Sequence, residues 1–205
     1  MNISTRGKEQ ATIAPLRRLC VYCGSSSGND PIYLQAATEL GRVLAERGIE
    51  LIYGGSCRGL MGYLADSVLQ AGGRATGIIP EGLVALEVAH RGLTKLHVVT
   101  SMHERKALMT ELADGFLVLP GAWGTLDELC EAATWAQLGI HNKPCGLWNV
   151  NGYWDSFIEF LQNAVTQGFL KQAHYQMLLV STDPYKLLDI MELQRVACET
   201  IPSKV

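Results

Sequence analysis

Short apolar runs alternate with longer amphipathic segments along almost the whole chain. The apolar runs are rich in Val, Ile and Leu and predict strands over residues 18–22, 50–53, 74–79, 95–99, 115–119, 145–148 and 177–180. The amphipathic segments predict helices over residues 32–47, 60–71, 102–113, 125–138, 153–167 and 183 to about 198. Strands that alternate with helices are typical of βαβ units, so the pattern predicts an α/β fold with a mostly parallel sheet of about seven strands.

Glycines and irregular stretches mark the boundaries of these elements. Gly48, Gly72, Gly139 and Gly168 follow predicted helices, where we expect them to act as C-terminal caps. Residues 80–93 have neither a helical nor a strand period and predict an irregular connection, in which a helical turn would also be compatible with the sequence. We expect residues 1–15 to form a flexible tail and residues 16–205 to form a single domain.

Three small-residue loops follow predicted strands, at residues 24–28, 54–59 and 120–125. In a parallel sheet the carboxyl ends of the strands lie along one edge, and ligands bind there. None of the loops has the GxGxxG pattern of dinucleotide-binding proteins or a Walker A ending. The loops therefore favour a mononucleotide or a sugar phosphate over NAD or a hydrolysable triphosphate.

The segment LVLPGAWGTLDE at residues 117–128 joins a buried strand, a glycine-rich turn and a helix start. Gly121 and Gly124 allow the backbone to approach a ligand closely, and a helix that opens near Thr125 presents free N–H groups to an anion. The alternative is purely structural. Thr125 and Glu128 have capping-box spacing, in which Glu128 would only satisfy a backbone N–H.

A second helix start, at residues 100–106, carries two adjacent cations. Ser101 and Glu104 have capping-box spacing, and Arg105 and Lys106 follow directly. Cations near a helix N-terminus oppose the helix dipole, so an anionic ligand or a facing carboxylate would offset their cost; the alternative is an exposed charged face. We expect the preceding strand to neighbour the strand at 115–119, which would bring Arg105 to the same pocket as Glu128.

Composition narrows the classes of partner. The 205 residues are 48% hydrophobic and 18% charged with a net charge of -3, which gives no basic field for nucleic acid. Apolar runs are too short to span a membrane and the N-terminus lacks the apolar core of a signal peptide, so we expect a cytoplasmic protein without membrane contact. The six cysteines predict reduced thiols. Cys20 and Cys23 are interpreted as buried strand residues, because positions three apart on a strand point to opposite faces.

Four ordered motifs resemble one known family. The motifs YGGSCRGLMG at 53–62, MHERKALM at 102–109, PGAWGTLDE at 120–128 and TWAQLGIHNKP at 134–144 resemble those of the LOG family, the cytokinin riboside 5′-monophosphate phosphoribohydrolases. Members have often been labelled possible lysine decarboxylases. The resemblance runs from about residue 19 to residue 180. It implies a Rossmann-like three-layer α/β/α fold and a homodimer. The implied reaction cleaves the N-glycosidic bond of AMP or a cytokinin riboside 5′-monophosphate to give free base and ribose 5-phosphate.

The resemblance also implies roles for individual residues. Arg105 and Glu128 would be catalytic, with the Glu128 carboxylate stabilising positive charge at C1′ or orienting the attacking water. The implied substrate-binding set is Glu87, Arg105, Lys106, Gly121, Ala122, Trp123, Gly124, Thr125, Leu126, Asp127, Glu128 and Thr134. Neither a metal nor a cofactor is expected.

Two positions depart from the family pattern, and two other functions stay open. Ala122 and Ser56 stand where the family commonly has glycine. If the backbone at Ala122 needs a positive φ, its Cβ would cost on the order of 1 kcal/mol and narrow the phosphate site. The same fold could instead serve a non-catalytic nucleotide-binding or carrier protein. A lysine decarboxylase would need pyridoxal phosphate on a lysine, and no lysine in the motifs is well placed for it.

Overall fold

A seven-stranded parallel sheet forms the centre of the computed structural model, which describes residues 15–84 and 88–199. Its strands are β1 Arg18–Tyr22, β2 Glu50–Tyr53, β3 Ala75–Pro80, β4 Lys95–Val99, β5 Gly115–Val118, β6 Cys145–Trp148 and β7 Leu178–Ser181. Their order is β4-β3-β2-β1-β5-β6-β7, and every neighbouring pair is parallel. The predicted α/β fold is therefore confirmed. The predicted tail falls almost wholly outside the described residues.

Helices connect the strands, largely where the amphipathic pattern predicts them. They are α1 Pro31–Glu46, α2 Gly59–Gln70, α3 Glu81–Val84, α4 Met102–Leu112, α5 Trp123–Gln137, α6 Asp155–Thr166, α7 Gln172–Tyr175 and α8 Pro184–Glu199, with a 3₁₀ turn at Val150–Gly152. The short α3 is a helical turn within the connection at residues 80–93, as the sequence allows. The short α7 is not predicted, because one turn is too short to establish a period. The four predicted cap glycines, Gly48, Gly72, Gly139 and Gly168, all adopt positive φ as C-terminal caps require.

Two hydrophobic layers lie on opposite faces of the sheet. On one face Leu40 of α1, Leu64 of α2 and Leu187 of α8 are fully buried, and on the other Met109 of α4 and Leu129 of α5 are 1% exposed. Alternate residues of β1 belong to the two layers, as a strand requires. Cys20 and Cys23 accordingly lie in different layers, and both are buried free thiols, which confirms their interpretation as core residues.

The strand order corrects one expectation. β4 does not neighbour β5: it lies at the sheet edge beside β3, whereas β5 lies between β1 and β6. The sequence cannot reveal this order, because strand pairing is a long-range property. The chain must cross from the edge to the centre, and α4 makes that crossing over β3, β2 and β1. The crossing carries Arg105 towards β5 by a route different from the predicted one.

The order of the strands reverses between β1 and β5. From β1 the chain proceeds to β2, β3 and β4 on one side, and from β5 it proceeds to β6 and β7 on the other. Such a switch point opens a crevice at the carboxyl ends of the two central strands, where ligands of open α/β sheets bind. Among the residues that the structure describes, no helix is both long and apolar enough to cross a membrane.

Candidate active site

A cavity of about 480 Å³ lies at the β1/β5 switch point. The loop at residues 24–28 after β1 and the turn at residues 120–125 after β5 line it, together with Gly54 from the second glycine loop. The N–H of Gly24 donates to the carbonyl oxygen of Pro120 at 3.0 Å and so joins the first loop to the turn. The loops at residues 24–28 and 120–125 thus converge on the cavity, and the loop at residues 54–59 contributes only its first residue, Gly54.

Helix α5 begins earlier than the sequence predicts, and this removes the capping-box interpretation. Its first residue is Trp123 and its N-cap is Ala122, so Thr125 lies inside the first turn and is 3% exposed. The Thr125 side chain packs closely against residue 121, which must therefore be a glycine: a Cβ there would lie 2.0 Å from Oγ1 of Thr125. Thr125 and Glu128 therefore do not form a cap, and the Glu128 carboxylate is available for another role.

The start of α5 is open towards the cavity. A Cβ added to Gly124 would meet no described atom within 4 Å, although Gly124 lines the cavity. The backbone at Ala122 has φ -120°, which any residue adopts, so the conditional expectation of strain there does not apply. The N–H groups of a first helical turn have no intrahelical partner, and together with the helix dipole they favour an anion in this space.

Helix α4 begins with the predicted cap. The Ser101 hydroxyl accepts a hydrogen bond from the N–H of Glu104 at 3.1 Å. The Glu104 carboxylate returns to the N–H and the hydroxyl of Thr100, both at 2.8 Å, one residue earlier than in a standard capping box. These bonds hold the Glu104 side chain outside the cavity and fix the first turn of α4, from which Arg105 and Lys106 project.

Arg105 is buried, which contradicts the alternative of an exposed charged face. Its side chain is 10% exposed, and its Nε donates to the carbonyl oxygen of Ile78 at 3.1 Å. Its Nη1 lies 3.2 Å from Oε1 of Glu128. Its Nη2 passes over Gly54, where a Cβ would be only 1.9 Å away, so the guanidinium needs a glycine at this position.

The Glu128 carboxyl is the acidic partner in this ion pair, and it binds its proton more tightly than an ordinary glutamate does. Burial raises the pKa of Glu128 from its ordinary value of 4.5 to about 7, and the Arg105 guanidinium partly opposes the increase. The neighbouring Asp127 carboxylate adds to the increase and Lys106 opposes it. A carboxyl that changes charge near neutral pH, paired with a fixed cation inside a cavity, is a common feature of acid–base and charge-stabilising sites.

Lys106 turns away from this pair towards the outer side of α5. Its Nζ lies 3.1 Å from Oδ2 of Asp127 and also contacts the Glu131 carboxylate. The hydrogen bond that Lys106 donates to the Glu131 carboxylate is the largest cause that raises the pKa of Lys106. Carboxylates on α5 therefore offset the unfavourable position of both cations near the start of α4. A facing carboxylate is one of the two expected ways to offset this cost, the other being an anionic ligand.

The structure brings part of the predicted substrate-binding set together. Arg105, Glu128 and five residues of the turn, Gly121, Ala122, Trp123, Gly124 and Thr125, line the cavity. Lys106, Leu126, Asp127 and Thr134 are absent from its lining, and Thr134 lies on the exposed side of α5. Glu87 lies outside the described residues. Ser56 is buried but does not line the cavity; its backbone pairs with Ala89 and its hydroxyl accepts from the N–H of Arg58.

Several lining residues have no signal in the sequence motifs. Leu83 provides apolar surface, and Tyr33 and Tyr153 provide aromatic surface. Tyr153 follows β6, whose carboxyl end lies at the same edge of the sheet as those of β1 and β5. A search of every segment that follows a parallel strand, rather than only the glycine-rich ones, would have included it.

Comparison with known proteins agrees with the motifs. Residues 61–191 match the family described as "Possible lysine decarboxylase". The chain is 50% identical over 156 residues to cytokinin riboside 5′-monophosphate phosphoribohydrolase LOG of Oryza sativa subsp. japonica, a match that covers 76% of this chain and 64% of that protein. It is 41% identical to cytokinin riboside 5′-monophosphate phosphoribohydrolase LOG7 of Arabidopsis thaliana, with coverage of 96% and 90% respectively.

Solved structures support the fold alone. The molybdenum cofactor carrier protein of Chlamydomonas reinhardtii superimposes with a TM-score of 0.66 at 18% identity, covering 87% of this chain and 97% of that one. The molybdenum cofactor binding protein of Rippkaea orientalis also gives 0.66, at 19% identity, covering 88% and 98%. At such low identity the likeness identifies a shared Rossmann-like architecture and carries no functional argument.

Proposed function

This chain belongs to the LOG family of cytokinin riboside 5′-monophosphate phosphoribohydrolases, and on that premise we propose that it hydrolyses the N-glycosidic bond of adenine-type nucleoside 5′-monophosphates. The substrates would be AMP, cytokinin riboside 5′-monophosphates or both. The products are the free base and ribose 5-phosphate.

The ion pair between Arg105 and Glu128 is the observation that carries this proposal. The pair is buried and lines the cavity, and Glu128 lies on the same helix that presents its open N-terminus to an anion. Trp123 at the start of α5 and Glu128 are about 7.5 Å apart along the helix axis, so a phosphate at the helix start would lie about that far from a reacting carbon near Glu128. That spacing suits the ribose that joins a 5′-phosphate to its anomeric carbon.

The reaction follows from these positions. As the bond between C1′ and the base nitrogen breaks, positive charge develops on the sugar, and the Glu128 carboxylate stabilises it. Water adds its oxygen to C1′ and gives up a proton, and the departing base nitrogen gains one. The Arg105 guanidinium holds the carboxylate in place, while the N–H groups at the start of α5 hold the phosphate. No step needs a metal or an organic cofactor.

The decarboxylase description of the family gains no support from the cavity. Pyridoxal phosphate chemistry needs a lysine amino group that can form a Schiff base. No lysine occurs among the described residues that line the cavity, and the amino group of Lys106 is held by Asp127 and Glu131. An amino-acid substrate is therefore not proposed.

Product analysis tests the proposal. The purified protein is incubated with AMP and, separately, with N6-isopentenyl AMP, and the free base and ribose 5-phosphate are measured by chromatography. We expect release of base by the wild type and a loss of at least about a hundredfold in Glu128→Gln, since removing one charge-stabilising group typically costs that much. Glu39→Gln is the matched control, because Glu39 is exposed on α1 outside the cavity.

The alternative outcomes are distinguishable. Base release by Glu128→Gln at the wild-type rate would remove Glu128 from the mechanism. Tight binding of AMP without any turnover by the wild type would instead support a nucleotide-binding or carrier protein. The ratio of kcat/KM for the two substrates decides which adenine derivative the cavity prefers.

We also propose that the protein acts as a homodimer. Leu138 and Ile140, just after α5, are 65% and 64% exposed, and Phe160 of α6 is 61% exposed. The family resemblance implies that Thr134 contacts the substrate, but Thr134 lies about 14 Å from Thr125 along the axis of α5. A contact from Thr134 to the same substrate would therefore have to come from a second copy. Light scattering on the purified protein measures the mass of the assembly directly, and a monomer at micromolar concentration would contradict the proposal.

A further inference from the structure

Tyr153 joins the segment after β6 to the turn at residues 120–125 through one short hydrogen bond. Its hydroxyl donates to the carbonyl oxygen of Gly121 at 2.6 Å, and both residues line the cavity. We propose that Tyr153 is a positioning residue, which fixes the peptide unit between Gly121 and Ala122 for binding of the substrate's phosphate. This inference rests on the proposed function, which places a phosphate at that turn.

Three successive carbonyl groups of the turn are engaged by donors from the protein. The carbonyl oxygen of Pro120 accepts from the N–H of Gly24 at 3.0 Å, and that of Ala122 accepts from the N–H of Leu126 at 2.9 Å. Tyr153 supplies the donor for the carbonyl between them, that of Gly121. Carbonyl oxygens carry partial negative charge and repel an anion, so an anion-binding turn needs all three directed to other donors.

The Gly121 carbonyl is the one whose donor comes from a side chain. A glycine has more backbone freedom than any other residue, so the peptide that follows it rotates readily unless it is held. In a trans peptide the carbonyl and the N–H of the same unit point in opposite directions. By holding the Gly121 oxygen, Tyr153 fixes the direction of the Ala122 N–H, which belongs to the N-cap residue of α5.

Tyr153 is itself held in place by a rigid segment. The Asn149 side chain accepts from the N–H of Trp154 at 2.8 Å and donates to the Asp155 carboxylate at 2.6 Å. Asn151 adopts φ 49°, the one positive φ found outside glycine in the described chain. The ring of Tyr153 packs edge-on against Tyr33, with centroids 5.6 Å apart. These contacts restrict the hydroxyl to the position from which it reaches Gly121.

Tyr153→Phe separates a positioning role from simple packing, because it removes the hydroxyl and keeps the ring contacts. Isothermal titration calorimetry measures binding of ribose 5-phosphate, and binding of AMP in proteins that also carry Glu128→Gln and so do not hydrolyse it. Steady-state kinetics measures AMP hydrolysis. We expect both ligands to bind about tenfold more weakly, the effect of losing one well-formed hydrogen bond. KM for AMP should rise by a similar factor while kcat stays within about twofold, because uniform binding is lost rather than transition-state stabilisation.

Tyr185→Phe is the matched control. Tyr185 is 44% exposed on α8 outside the cavity, close to the 41% exposure of Tyr153, so its loss of a hydroxyl should leave affinity and KM unchanged. Wild-type affinity for ribose 5-phosphate in Tyr153→Phe would overturn the positioning role, and a lower melting temperature with unchanged affinity would show that the hydroxyl only supports the fold. A wild type that neither binds AMP nor releases base would reject the proposed function itself.

Discussion

Glu128 combines burial with a paired cation, and at the scale of single residues this combination determines what the site can do. A carboxyl group in a desolvated position keeps its proton to a higher pH, and the Arg105 guanidinium limits this increase by favouring the charged form. The result is a pKa of about 7, at which both protonation states are populated under physiological conditions. The proposed mechanism uses only the ionised state, so pH separates this mechanism from one in which Glu128 donates a proton.

The dependence of kcat/KM on pH is therefore predicted to have an acid limb with a midpoint near pH 7, the pKa of Glu128 in the free enzyme. Activity should rise as pH increases through this value, because the carboxylate is the active form. Initial rates with AMP between about pH 5 and 9 measure the profile. A rate that falls as pH rises through 7 would mean that protonated Glu128 is the active form and would contradict the mechanism.

Stability is predicted to change in the opposite direction. The folded-state pKa of Glu128 lies above the ordinary value of 4.5, so the folded state binds this proton more tightly than the unfolded state does. Ionisation between pH 4.5 and about 7 consequently destabilises the fold. Denaturation at several pH values should show that Glu128→Gln, which lacks this titration, gains stability relative to the wild type as pH rises through that window. A constant difference between the two proteins would contradict the assigned pKa.

At the scale of elements, the turn that leads into α5 is built by close contact rather than by unusual backbone angles. Neither Gly121 nor Gly124 has a positive φ. Gly121 is needed because Thr125 and Gly24 pack against its α-carbon, and Gly124, the second residue of α5, has open space beside its own α-carbon. The N-cap of α5 is Ala122, three residues before Thr125, the N-cap that the T-x-x-E spacing indicates.

Gly121→Ala is accordingly predicted to destabilise the protein, whereas Gly124→Ala is not. A Cβ at residue 121 would lie 2.0 Å from the Thr125 hydroxyl and 3.0 Å from the Gly24 nitrogen, and overpacking of this kind typically costs about 1–3 kcal/mol. At residue 124 a Cβ meets nothing within 4 Å, and alanine is favoured over glycine inside a helix. Urea denaturation measures both changes, and equal stability of the two variants would contradict the packing argument.

At the scale of the whole molecule, some features follow from the sequence and others do not. Alternation of apolar and amphipathic segments predicts β1, β2, β4 and β6 with the bounds observed, because local periodicity reflects burial on two faces. The edge position of β4 is not predictable in this way, since only distant pairing determines strand order. The sequence motifs identify Arg105 and Glu128. Tyr153 belongs to no motif, and its role is recognised only from its bond to Gly121.

Strand order nevertheless determines which motif residues meet in the folded protein. Because the chain must return from β4 at the edge to β5 at the centre, α4 crosses the sheet and delivers its arginine beside the glutamate of α5. Two residues that are distant in sequence thus meet at the switch point, where the strand order also opens the cavity. The site is a consequence of the topology as much as of the residues themselves.

A crystal structure of Glu128→Gln with AMP bound tests this account most directly, since the variant should retain the substrate. We predict that the 5′-phosphate lies within hydrogen-bonding distance, about 3 Å, of N–H groups at residues 122–125, with C1′ beside the substituted side chain at position 128. A nucleotide bound with its phosphate away from the start of α5, or with C1′ remote from position 128, would contradict it.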